Sequence, residues 1–137
     1  MRAFLYHAQL NVGDGTIPFY RDLFGYLEYR VITEAPDCLG VSNGTTDFWL
    51  FATPRERRGH PFHRKNPGLN HLAFGVRARA DVDRFVADFL RPRGVPALYD
   101  SPRDYPEYRP GYYAVFFEDP DRLKLEVAHV PGLTERG

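Results

Sequence analysis

Cys38 is the only cysteine in 137 residues, so an intrachain disulfide is excluded and the chain suits a reducing compartment. An excess of either charge is also missing. Lys and Arg number 18 and so do Asp and Glu, leaving no overall field to draw the protein onto nucleic acid or anionic lipid. No stretch approaches the roughly 20 apolar residues that cross a bilayer. The opening Met1-Arg2-Ala3-Phe4-Leu5-Tyr6-His7 has no apolar core of the kind a secretion signal carries. These absences predict a cytoplasmic protein with no membrane and no nucleic-acid partner. What is present is a chain the size of one compact domain, with 43% hydrophobic residues to build a core. Twelve prolines, twelve glycines and 15% aromatic residues point to many turns and to a ring-rich pocket or interface.

Three well-separated runs alternate with the period of a β-strand, and each carries one candidate metal ligand. In the run 5–12, His7, Gln9 and Asn11 fall on one face and Ala8, Leu10 and Val12 on the other. In the run 69–76, His71, Ala73 and Gly75 oppose Leu72, Phe74 and Val76, and in 124–128 Glu126 again lies opposite the apolar residues. Two imidazoles and a carboxylate suit a divalent transition metal that keeps open positions for substrate. Either histidine alone reads as an ordinary hydrogen-bonded strand residue; the shared parity with Glu126 favours the metal. His60, His63 and His129 read as surface or structural residues.

The order of elements repeats. Gly13-Asp14-Gly15-Thr16 is a turn, and Thr16 with Pro18 starts a helix that runs to about Leu23 and is closed by Phe24-Gly25. Strands follow over 26–33, 39–42 and 47–52, with Asn43-Gly44 as a hairpin turn. Residues 53–68 lose periodicity and read as a linker whose Arg55, Arg57, Arg58, Arg64 and Lys65 form a solvated basic cluster. A strand over 69–76 then leads to a helix from Asp81 to about Leu90, with Val82, Phe85, Val86 and Phe89 on its buried face. Strands near 96–100, 112–118 and 123–129 complete the second half, with 100–111 as a long loop. One domain of two βαβββ modules, about 1–53 and 68–131, is the expected organisation.

The motifs His7-Ala-Gln-Leu-Asn-Val-Gly-Asp14, Phe19-Tyr-Arg-Asp-Leu-Phe-Gly25, Asn70-His-Leu-Ala-Phe74 and Phe117-Glu-Asp-Pro-Asp121 leading to Leu125-Glu126 resemble the vicinal oxygen chelate superfamily. It includes glyoxalase I, bleomycin-resistance proteins, extradiol dioxygenases and fosfomycin-resistance thiol transferases. The resemblance spans nearly the whole chain. It implies an α+β fold of two βαβββ modules forming a curved mixed sheet with helices on the convex face, and a homodimer. It also implies His7, His71 and Glu126 as ligands of one divalent ion (Mn, Fe, Ni or Zn), with Glu126 available to move a proton. Departures narrow the reaction. Trp49 falls at or beside the fourth carboxylate ligand of glyoxalase I, Gln9 replaces a threonine of the fosfomycin enzymes, and Phe116 replaces a tyrosine. The usual Asp-Pro-Asp-Gly turn reads Asp119-Pro120-Asp121-Arg122, a cost in stability if that position needs positive φ.

Gln9, Asn11, Trp49, Phe51, Tyr112, Phe116 and Lys124 share the inner parity of their strands and are candidates for pocket lining. Arg103, Tyr108 and Arg109 in the loop before the seventh strand suit a flat or anionic small molecule. The leading expectation is a metal-dependent enzyme acting on a small oxygen-bearing substrate, with lyase, isomerase, dioxygenase or thiol-transferase chemistry. The competing one is a metal-free, bleomycin-resistance-type binder of an aromatic molecule.

Overall fold

A computed structural model describes residues 1–59 and 62–132. The chain forms two compact units, Met1–Pro61 and Phe62–Gly137, called modules one and two below. Module one runs β1 (His7–Val12), α1 (Thr16–Tyr26), β2 (Arg30–Ala35), β3 (Cys38–Ser42) and β4 (Asp47–Ala52), and its sheet has the order β1-β4-β3-β2. Module two runs β5 (His71–Val76), α2 (Arg79–Phe85), β6 (Leu98–Asp104), β7 (Tyr113–Glu118) and β8 (Lys124–His129), in the order β5-β8-β7-β6. In each sheet the first strand pairs parallel with the last and the other pairs are antiparallel. The fold class is therefore α+β, built from two βαβββ modules that each form a four-stranded mixed sheet. Among the described residues no helix is long and apolar enough to cross a membrane.

Alternation along the strands decides which face is covered. In module one Leu39, Val41, Phe48 and Leu50 are buried and face α1, whose Ile17, Tyr20, Leu23 and Phe24 recur every three or four residues. Phe24 and Phe48 lie 5.0 Å apart. Helix α1 ends at Tyr26 instead of near Leu23. Gly25 stays within it, and the left-handed turn falls on Glu28 (φ 63), with the Tyr29 N–H bonded to the Phe24 carbonyl at 2.9 Å. Packing of Phe24 between Phe48 and Tyr29 holds this last turn in place, so β2 begins at Arg30 and not at residue 26.

On the opposite face of module one, Trp49 lies across Gly40, its cross-strand partner. A β-carbon on Gly40 would come within 2.7 Å of the indole ring. Glycine is required there for the close approach of the ring. Gly40→Ala is expected to lower the unfolding free energy by about 1–3 kcal/mol. Chemical denaturation checks this, and an unchanged midpoint would show that the indole swings aside freely.

In module two, α2 packs Val82 and Phe85 against the sheet, with Phe85 5.2 Å from Phe117. The helix starts at Arg79, two residues before the expected Asp81, because the Asp81 carboxylate accepts the Ala78 N–H at 2.9 Å and closes the first turn. A widened π-type turn, Val86–Leu90, continues it and stacks Phe89 on Phe85 at 5.1 Å; a tight turn then leads to Gly94 at φ 63. The expected loop 100–111 is shorter than the sequence suggests. Strand β6 extends to Asp104 through Arg103↔Ala114 and Asp104↔Tyr113 pairing, and Tyr105 N–H bonds to the Tyr112 carbonyl at 2.9 Å. The ladder is interrupted between Leu98 and Arg103, where Tyr99 and Asp100 take positive φ. That bulge hides the strand from a period-two reading.

The turn into β8 is built on the buried Asp119, whose Oδ1 accepts the N–H groups of Asp121 and Leu123, each at 2.8 Å. Arg122 there has φ 67, the conformation that favours glycine. Arg122→Gly is expected to stabilise the protein by about 0.5 kcal/mol, relief of strain being partly offset by the added freedom of the unfolded chain. A downward shift of the thermal midpoint would contradict it.

Candidate functional site

The uncovered face of module two carries a cleft of about 580 Å3. His71, Tyr99, Arg103, Tyr105, Tyr108, Tyr112, Phe116, Lys124 and Glu126 line it. Ladder register explains the grouping. Glu126 on the central β8 pairs with Ala73 of β5 and Phe116 of β7, while Lys124 pairs with His71, so all of these project to one side. Leu72, Phe74, Leu125 and Val127 point to the helix side by the same alternation.

Glu126 is the centre of the site and is only 2% exposed. Its Oε1 accepts the Tyr112 hydroxyl at 2.5 Å, and its Oε2 lies 3.2 Å from His71 Nε2. The His71 ring is oriented from behind. Asn70 donates its amide N–H to the Arg64 carbonyl at 3.1 Å, which turns Asn70 Oδ1 toward His71 Nδ1 at 2.7 Å. An acceptor at that distance calls for a proton on Nδ1, which in the neutral ring leaves the Nε2 lone pair facing a carboxylate oxygen. Two lone pairs so placed repel unless a cation, a proton or a metal, lies between them. Donor atoms sharing one metal at roughly 2.0–2.2 Å sit about 3.0–3.4 Å apart, so the pair fits a metal's edge. Among the described residues of module two no third His, Cys, Asp or Glu joins them.

The remaining sequence candidates divide between the modules. His7, Gln9 and Asn11 lie on the exposed side of β1, in register with Asp47, Trp49 and Phe51, and Trp49 and Phe51 stack at 6.4 Å. Arg103, Tyr108, Tyr112 and Phe116 line the cleft of module two, whereas Arg109 is exposed in the same loop and is not part of the lining. Tyr99 and Tyr105 belong to the wall but follow no strand parity, because the bulge in β6 and the loop place them. Arg64 departs from the solvated basic cluster. It is 22% exposed and donates to Glu118 at 2.5 Å, so one linker residue anchors β7 and holds Asn70. Asn70 is the positioning residue that strand parity cannot find, since its side chain acts on its own neighbour; its place directly before His71 was the available signal. His60 lies outside the described residues. His129 has a buried Nδ1 with no hydrogen-bond partner among the described residues. A second hollow of about 320 Å3 beside the start of α1 contains none of the candidates, and its Arg21 and Glu34 pair with each other.

No family model matches the chain. The Bacillus subtilis (strain 168) protein YqjT is 43% identical over 133 residues, covering 90% of this chain and 96% of its own length. The crystal structure of a candidate glyoxalase from Bacillus halodurans superposes with a TM-score of 0.84 at 34% identity, over 94% of this chain and 97% of that one. A glyoxalase/bleomycin resistance protein/dioxygenase family enzyme from Burkholderia phytofirmans PsJN superposes at 0.69 with 17% identity, over 93% and 99% of the two chains; that likeness is one of fold.

The chain belongs to the glyoxalase/bleomycin resistance/dioxygenase family. The superfamily it resembles spans lyases, oxygenases and ligand binders, so membership leaves the reaction to the site itself.

Electrostatics tie Tyr112 in the cleft and Tyr113 beside α2 to pH. Burial, then the hydrogen bond to Glu126 and its negative charge, raise the Tyr112 pKa far above the ordinary 10.0 of a phenol. Burial, then the bond to Asp83, pushes Tyr113 up to about 12. A phenol whose folded pKa exceeds its unfolded one stabilises the fold fully below the unfolded value, and that stabilisation is lost as pH rises through the folded value. Unfolding free energy is therefore expected to fall between about pH 10 and 12. The decline should be shallower in Tyr113→Phe; denaturation titrations across that window check it, and a flat profile there would refute it.

Proposed function

We propose that this protein is a metal-dependent enzyme of the vicinal oxygen chelate type that acts on a small oxygen-bearing molecule held in the module-two cleft. The observation that carries this reading is the His71 Nε2 to Glu126 Oε2 contact of 3.2 Å, with Nδ1 satisfied by Asn70 and Oε1 by Tyr112. Such orientation of ligands by outer partners is characteristic of metal sites. His71 and Glu126 would supply two donors, and His7, by family resemblance, the third. The bound divalent ion, Mn, Fe, Ni or Zn, would act as a Lewis acid toward two neighbouring substrate oxygens. Tyr112 keeps the Glu126 carboxylate in one orientation through Oε1, so that Oε2, were it to leave the ion, would be the atom free to take a proton from a carbon beside those oxygens. A second reading, a metal-free binder of an aromatic molecule, is favoured by the tyrosine and phenylalanine rings of the cleft.

Calorimetric titration of metal-stripped protein with Mn2+, Fe2+, Ni2+ and Zn2+ separates the two. The expected result is one ion per chain, binding abolished in His71→Ala, strongly reduced in His7→Ala, and weakened about 10- to 100-fold in Asn70→Ala through loss of ring orientation. Stoichiometric binding that persists unchanged in His71→Ala, or no binding at all, would rule out the metalloenzyme.

A further inference from the structure

Lys124 is the feature of the cleft that the metal reading leaves unused. It is half-buried on β8, beside His71 in the ladder, and its ammonium lies 5.6 Å from the Tyr99 ring centroid and 5.5 Å from that of Phe116. The nearest carboxylate by register is Glu118 on β7. That carboxylate is already held by Arg64 at 2.5 Å and approached by Arg122 at 3.5 Å. The other carboxylate on this face, Glu126, faces Tyr112 and His71. Among the described residues the Lys124 ammonium therefore meets ring faces and no counter-ion. An ammonium that is partly desolvated and unpaired is an anion site in waiting, since a charge-assisted bond there is stronger than in open water.

A second cation stands further out in the same cleft. The Arg103 guanidinium lies 3.9 Å over the Tyr105 ring and is steadied by bonds to the carbonyls of Tyr99 and Asp104. Its contact with Glu107, at 3.8 Å, is loose and exposed. Between the two cations the walls are rings. Tyr99 and Tyr108 leave 51% and 62% of their surface exposed, a large aromatic area left unburied beside a site.

We infer that the cleft takes a flat, ring-bearing carboxylate, with the acid group at Lys124 and the ring laid against the exposed side of Tyr99. This deepens the proposed function by naming a substrate class for the same cleft, but the anion preference rests on Lys124 and the rings and not on any metal. The two readings can therefore fail separately.

The test uses metal-stripped, full-length protein and two probes that share a ring and two neighbouring oxygens, 2-hydroxybenzoate and the neutral 2-hydroxybenzyl alcohol. Calorimetry is expected to show the acid binding about tenfold or more tighter than the alcohol. In Lys124→Met that ratio should fall several-fold, chiefly through weaker binding of the acid, and Lys124→Arg should restore much of it. Tyr99→Ala should weaken both probes alike. No preference for the acid, a preference untouched by Lys124→Met, or no binding of either probe at millimolar concentration would overturn the inference. Loss of metal binding with the preference intact would overturn only the metal reading.

Discussion

A carboxylate withdrawn from water must be compensated, and Glu126, 2% exposed, is the group around which module two is arranged. Its two oxygens face different partners, the Tyr112 hydroxyl and the His71 ring. His71 is in turn held by Asn70, and Asn70 by the backbone of Arg64, whose own guanidinium is tied to Glu118. The chain of contacts runs from the linker before β5 to the end of β7, and it fixes an imidazole nitrogen with its lone pair toward the buried oxygen. Removal of the Tyr112 hydroxyl or the His71 ring would leave the buried carboxylate short of a partner.

Register leaves little freedom in how these groups meet. A slip of one residue in β8 would carry Leu125 and Val127 into the cleft and Glu126 toward the helix, exposing the apolar side and burying the charge without partners. The helix side of each sheet thus sets the position of the polar side. Small residues complete the effect. On the ligand-bearing face of module two Ala73 and Gly75 are exposed beside His71, while Ala114 and Ala128 are buried in a cluster with Tyr105 and Phe116. In module one the corresponding face is closed over Gly40 by the Trp49 ring.

The polar face of β1, the apolar face of α2 and the common side of His71, Lys124 and Glu126 were legible because alternation and helical spacing are local properties of the chain. The first helix was legible only to within three residues, since the choice between Gly25 and Glu28 as the turning point depends on how Phe24 packs. Strand β6 was hardly legible. Tyr99 and Asp100 break its period at a bulge, and their positive φ lies between Leu98 and Arg103, the residues on either side that do pair with β7.

By itself the sequence determined the class of fold, the two-module order and the candidate donors His7, His71 and Glu126, because hydrophobic periodicity dictates which side of a strand must be covered. Tertiary structure alone decided that Tyr112 orients Glu126, that Asn70 and Arg64 orient His71, and that Lys124 is left over rings with no counter-ion among the described residues. Those outcomes depend on distances between residues far apart in the chain, and no pattern along a single strand encodes such a distance.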